Sequence, residues 1–145
     1  MKKSIMLFMM LLIMIPSSNL VAQQDPDVEK VKSALENLFM LSKSKNFIEA
    51  AKVMLYTGDD SKRNLKDTYN PDVKSELDQV KRICNKIRAF LDLSDKYELG
   101  ELKRTNNPGG ALYNLDVIFK SGSQSLKTQF SFLNLNGKIL LTDVK

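Results

Sequence analysis

Histidine is missing from the chain altogether, and that absence removes more chemistry than any residue present adds. It is the one side chain whose ordinary pKa lies near neutrality. A Ser-His-Asp triad, a Cys-His pair and a histidine-based metal site are therefore excluded. Acid–base work would fall to a carboxylate, tyrosine, lysine or Cys84 with a strongly shifted pKa. Cysteine is almost as scarce: Cys84 stands alone, so no intramolecular disulfide exists and the core must hold the chain together. Its place in an apolar helical pattern marks it as a small buried hydrophobe rather than a reactive thiol. A hydrophobic run long enough to span a bilayer comfortably is lacking, since Ile5 to Ile15 has eleven residues where a spanning helix takes about 20. Strong charge of one sign is lacking too. The net charge of +5 is spread along the chain without the concentrated basic stripe of nucleic-acid binding, so no nucleic-acid partner is expected.

What the first residues do contain is the layout of a secretory signal peptide. Lys2 and Lys3 form a positive n-region, Ile5 to Ile15 an apolar core, and Pro16, Ser17 and Ser18 a break; Ala22 supplies the small residue at the expected cleavage point. The alternative is an uncleaved anchor. No cysteine lies near that point, which disfavours a lipoprotein. Cleavage after Ala22 leaves 123 of the 145 residues, with the charge reduced by two to +3, and that is the size of one domain. The expected organisation is a signal peptide over 1–22 and a single domain over 23–145, exported to the periplasm or beyond, with no membrane attachment after cleavage.

Periodicity then divides the domain. Asp25 and Pro26 read as a helix cap and first position. Val28, Val31, Leu35, Leu38 and Phe39 recur at helical spacing, predicting a helix to about Lys43. Asn46, with Glu49 three residues on, caps a second short helix that Gly58 ends. Asn70-Pro71-Asp72 opens a third. There Val73, Leu77, Val80, Cys84, Ile87 and Leu91 are spaced 4-3-4-3-4, the stripe of a long core helix. Beyond Ser94 the period becomes two. Strands are expected over Lys96–Arg104, Ala111–Lys120, a segment around Leu126 to Phe132, and Lys138–Val144, with turns at Asn106–Gly110, Ser121–Ser123 and Asn136-Gly137. Such short turns require antiparallel neighbours. The fold class is α+β: three N-terminal helices packed on a curved antiparallel sheet of about four strands.

The Phe130-Ser131-Phe132 and Asn136-Gly137-Lys138 runs, with the order of elements from Val28 to Val144, resemble the nuclear-transport-factor-2-like fold, also described as a cystatin-like cone. Gly58-Asp59-Asp60, Arg63 and Lys66-Asp67, followed by Cys84 in a long helix, resemble small exported bacterial proteins of unknown function. Two departures stand out. Members of the broad fold often carry tryptophan after the hairpin glycine, and here Gly137-Lys138-Ile139 has none. Its enzymes often use an Asp–His pair, which this chain cannot supply.

A cone implies a pocket between sheet and helices. On the alternation above, Tyr113, Phe119, Phe130 and Phe132 point into it with Tyr97, either filling a core or lining a site for a small apolar ligand. The polar stretch from Tyr56 to Tyr69 is the other candidate. Its cations Arg63 and Lys66 are expected to pair with Asp59, Asp60 or Asp67 and pin the loop, or Arg63 to meet an anionic ligand group. Asp59 and Asp60 are adjacent and point oppositely in extended chain, which argues against a metal site. No catalytic residue, metal or cofactor is expected. The function read here is a non-catalytic domain binding a small ligand or a protein. The alternatives are a histidine-free isomerase-like enzyme using Tyr56 or Tyr69 with Asp60 or Asp67, and a structural module dimerising through Ile118, Leu133, Leu135 and Leu140 on the outer sheet face.

Overall fold

Helix α1 runs from Pro26 to Lys43. Proline at its first position loses no intrahelical bond, and Val31, Leu35, Leu38 and Phe39 turn one face inward. This computed structural model describes residues 26–59 and 61–145; the signal segment 1–22, the Asp25 cap and Asp60 lie outside them. Helix α2, Phe47–Ala51, is capped by Asn46, whose Oδ1 accepts the Glu49 N–H at 3.3 Å. It stops at Ala51 instead of continuing towards Gly58. The reason is tertiary. The Leu55 N–H donates to the Leu141 carbonyl at 2.7 Å and the Leu141 N–H to the Val53 carbonyl at 2.9 Å, so this segment leaves the helix to pair as extended backbone. Local helical preference yields to that pairing.

Helix α3, Lys74–Asp92, follows a turn in which Asn70 Oδ1 accepts the Asp72 N–H at 3.0 Å, the Asx geometry that asparagine favours. It buries Val80, Cys84 and Ile87, and with them Glu76. Four strands complete the chain: β1 (Lys96–Asn107), β2 (Gly110–Ser121), β3 (Gln124–Leu135) and β4 (Lys138–Val144). They form one antiparallel sheet in sequence order. The β3–β4 turn uses Asn136 at φ 52° and Gly137 at φ 87°, the positive pair that matches strand twist in a two-residue hairpin. Gly110, at φ 135°, is required where it stands, because a Cβ there would strike the carbonyl oxygen of Asn134. The architecture is α+β, helices followed by a curved four-stranded antiparallel sheet.

Between sheet and helices lies a ring-filled core. Tyr113, Phe130 and Phe132 are 0 % exposed and Phe119 is 3 %. Phe39 of α1 meets Phe130 edge-on at 5.5 Å and Phe119 at 6.0 Å between centroids. On the outer face, Leu133 pairs with Leu112 on one side and Leu140 on the other. Leu140 is buried, while Ile118, Leu133 and Leu135 are half-buried. The two sheet edges differ. Val53–Leu55 covers β4 through the bonds above, whereas β1 ends the strand order and is exposed at every position except Leu102. That edge carries Lys96, Glu98, Glu101, Lys103 and Arg104, and its register shifts between Leu99 and Leu102. Charge and irregularity are the usual protection of an unpaired edge.

Candidate functional site

The polar stretch is organised by a residue outside it. Arg63 forms a two-pronged ion pair with Glu76 of α3: Nε lies 3.2 Å from Oε1, and Nη2 contacts Oε2. Arg63 Nη2 also donates to the Thr68 carbonyl at 3.0 Å, and the Asn70 N–H donates to Glu76 Oε2 at 2.6 Å. Both side chains are nearly sealed, at 6 % and 10 % exposure. The Arg63 guanidinium lies 3.4 Å above the centre of the Tyr56 ring, where its charge meets the negative face of the ring. Tyr69 meets the same ring edge-on at 5.5 Å. A Cβ on Gly58 would collide with the end of the Tyr56 side chain, so glycine at that place lets the ring lie over the chain.

This corrects the pairing expected from sequence. Arg63 pairs through Nε and Nη2 with Glu76, thirteen residues away, not with a loop aspartate, while its Nη1 is buried without a hydrogen-bond partner among the described residues. Asp67 pairs with Lys138 of β4 at 3.2 Å, which holds its carboxyl below the usual range. Asp59 and Lys66 are exposed and join no ion pair among the described residues, and Asp60 lies outside them. The physical reason is that a flat guanidinium takes two parallel bonds from one carboxylate, and Glu76 projects from a rigid helix. An anion-binding fork at Arg63 would have to displace that carboxylate.

Two cavities flank this arrangement and share Tyr69. One, of about 290 Å³, is lined by Tyr56, Thr57, Gly58, Tyr69, Ser75, Glu76 and Gln79. The other, of about 220 Å³, is lined by Met54, Leu55, Tyr69, Arg82, Ile83, Lys86 and Leu141 to Val144. Their α3 residues fall at 75 and 76, then 79, then 82 and 83, then 86. That is a single stripe at helical spacing, so the cavities are two halves of one groove running about 16 Å along the helix. The opposite wall is the Met54–Gly58 segment, continued by β4. The floor of the second half is apolar, with Met54 and Leu141 buried and Tyr69 at 8 % exposure.

Of the rings expected to face a ligand, Tyr113, Phe130 and Phe132 line neither half of this groove and are packed in the core. Phe119 reaches a separate shallow cavity of about 200 Å³ at the far end, beside Phe90, Leu93 and Leu126. Tyr56 and Tyr69 border the groove. Sequence reasoning missed a Tyr–Asp contact: Tyr113 Oη donates to Asp27 Oδ2 at 2.8 Å, and Asn134 Nδ2 donates to the same atom at 2.8 Å. Lys30 stands 2.9 Å from Oδ1. Bonds from Lys30, Tyr113 and Asn134 lower the Asp27 pKa to about 2, so the group is a fixed anion that ties the start of α1 to the sheet, not a general base. Burial pushes the Cys84 thiol above its usual range, away from nucleophilic use.

The Asp27 arrangement makes a pH prediction. Its folded pKa is depressed, so the stability it adds is complete above the ordinary aspartate range near about 4 and is lost as pH falls towards about 2. Urea midpoints of the native chain and of Asp27→Asn should differ clearly at neutral pH and converge in acid. A difference independent of pH would contradict the tie.

Among the described residues, no helix is long and apolar enough to cross a membrane, and no group of three or more Cys, Asp or Glu side chains is placed to hold a metal ion. No protein-family model matches the chain and no curated protein matches it. Among solved structures, the chain is similar to designed nuclear-transport-factor-2-like proteins. One, described as "Rd1NTF2_05 with long sheet", is 13 % identical, covers 85 % of this chain and 96 % of its own, and superimposes with a TM-score of 0.51. A substituted variant of the same design is 12 % identical over 82 % of this chain and 97 % of its own, with a TM-score of 0.47. The first likeness shows the fold: the chain has a nuclear-transport-factor-2-like architecture.

Proposed function

We propose that this protein is a non-catalytic binding domain that holds a small ligand in the groove along α3, outside the ring-filled interior of the cone. The observation that carries this reading is the contrast between the two places. The cone interior is packed by Tyr113, Phe130 and Phe132 at 0 % exposure, which leaves no room for a guest. The groove instead is a depression open to solvent above the buried Met54, Tyr69 and Leu141, with polar groups at fixed positions beside it, the combination that small-molecule sites share. The Arg63–Glu76 pair serves the groove by fixing its Tyr56–Tyr69 wall, not by chemistry. No catalytic role is assigned to any residue, because a fold of this kind carries no activity by itself. The reading includes export, on the strength of the signal-like residues 1–22.

Native mass spectrometry of the chain purified from its own host tests the proposal. A retained small molecule is expected, lost when Ile83→Trp fills the groove and kept when Leu126→Trp obstructs the far cavity. Loss of the adduct in Leu126→Trp but not in Ile83→Trp would move the site to that far end and overturn the reading.

A further inference from the structure

Resting on that groove reading, the geometry points to the ligand's class: a small monocarboxylate with an apolar body, seated in the groove half next to β4. The first support is the lining. Met54, Tyr69, Ile83, Leu141 and Val144 give an apolar bed. Its volume of about 220 Å³ lies below the roughly 300–1,000 Å³ of drug-sized sites, which suits a short chain or a single ring.

The second support is charge. Arg82 and Lys86 stand one helical turn apart on the same side of α3, both on the rim of this bed and both exposed. Most other cations of the domain lean on a carboxylate, as Lys30, Lys32, Lys52, Lys81, Arg88, Lys120, Lys127 and Lys138 do. Arg82 and Lys86 do not. Lys86 Nζ donates to the Val144 carbonyl at 2.7 Å, and Arg82 Nε reaches the Asp78 carbonyl at 3.4 Å. Among the described residues these two whole positive charges thus meet neutral oxygens and, for Lys86, the Phe90 ring 6.0 Å away, but no carboxylate. Asp143, on the opposite rim, is occupied: its Oδ1 accepts the Val144 N–H at 2.8 Å and Lys145 stands 3.5 Å from Oδ2. A carboxylate placed between Arg82 and Lys86 gains charge-assisted bonds, while its apolar body leaves water to cover the half-buried Ile83 and Val144 above Met54 and Leu141. A neutral ligand of the same shape gains only the second, and a cationic one is repelled.

The test uses octanoate and its neutral counterpart octanol, titrated into the isotope-labelled chain and followed by backbone amide shifts. Octanoate should shift amides around Met54, Ile83, Leu141 and Val144 and bind about tenfold more tightly than octanol, with the advantage shrinking as salt is raised. The double variant Arg82→Met, Lys86→Met keeps the apolar stems. It should lose that advantage, octanoate then binding no more tightly than octanol to the same variant. Equal binding of both ligands in the groove, indifferent to the double variant, would overturn the anionic class and leave the groove standing. Shifts confined to another surface, or no shifts with either ligand, would overturn the groove and this inference together.

Discussion

Replacing Glu76 with alanine should cost about 3–5 kcal/mol of stability, because it strands a buried guanidinium without its counter-charge. Arg63 is 6 % exposed, and Glu76 supplies both prongs of its ion pair while also accepting the Asn70 N–H. Against the roughly 5–15 kcal/mol by which a domain of this kind is stable, that is a large share. Urea unfolding followed by circular dichroism measures it. The double variant Arg63→Met, Glu76→Leu should recover most of the loss, since well-packed apolar substitutes often match a buried pair. A loss below about 1 kcal/mol in Glu76→Ala would place the pair in the range of surface ion pairs and contradict the burial seen here. The effect should also be local. The Tyr56–Tyr69 segment relies on this pair, so its amides should exchange faster in any Glu76 variant that still folds.

Truncating Phe130 to alanine should be comparably severe, at about 3–5 kcal/mol. The ring is 0 % exposed and sits between Phe39 at 5.5 Å and Phe119 at 6.5 Å. The measurement also separates two roles for the inner rings. Rings lining an open pocket already face a void on one side, so their removal costs little more than their own transfer to water. Rings interlocked in a core leave a cavity that the neighbours cannot close. A loss under about 1.5 kcal/mol for Phe130→Ala would reopen the cone interior as a binding space. Leu126→Ala, on the half-exposed rim of the far cavity, is the comparison, and it should fall within about 1 kcal/mol.

Element order and type were legible from residue patterning because each signal was local. Asn46 three residues before Glu49 marked a cap, the 4-3-4-3-4 stripe from Val73 to Leu91 marked α3, and Asn136-Gly137 marked the last hairpin. The end of α2 was not, since what ends it is Leu141, some ninety residues away in the chain, competing for the backbone of Val53 and Leu55. The partner of Arg63 was hidden for a related reason, as three nearer aspartates, Asp59, Asp60 and Asp67, made local pairing look sufficient. One signal for it existed. Glu76 sits three residues after Val73 and four before Val80, on the apolar side of the helix, where a carboxylate without a buried partner is too costly to keep. The groove had no sequence signature, because its walls come from α3, the Met54–Gly58 segment and β4, and only the folded chain brings these together.

The unequal edges of the sheet decide how these molecules can meet backbone to backbone. Val53–Leu55 already occupies the hydrogen-bonding groups of β4 around Leu141, while among the described residues no strand pairs with the outer edge of β1. Filament growth by strand addition needs two reactive edges on every unit, one to receive and one to extend. A unit with a single such edge pairs once, in a closed isologous contact, and then has nothing left to offer a third copy. For the described residues, strand addition at the β1 edge would therefore end after one pairing.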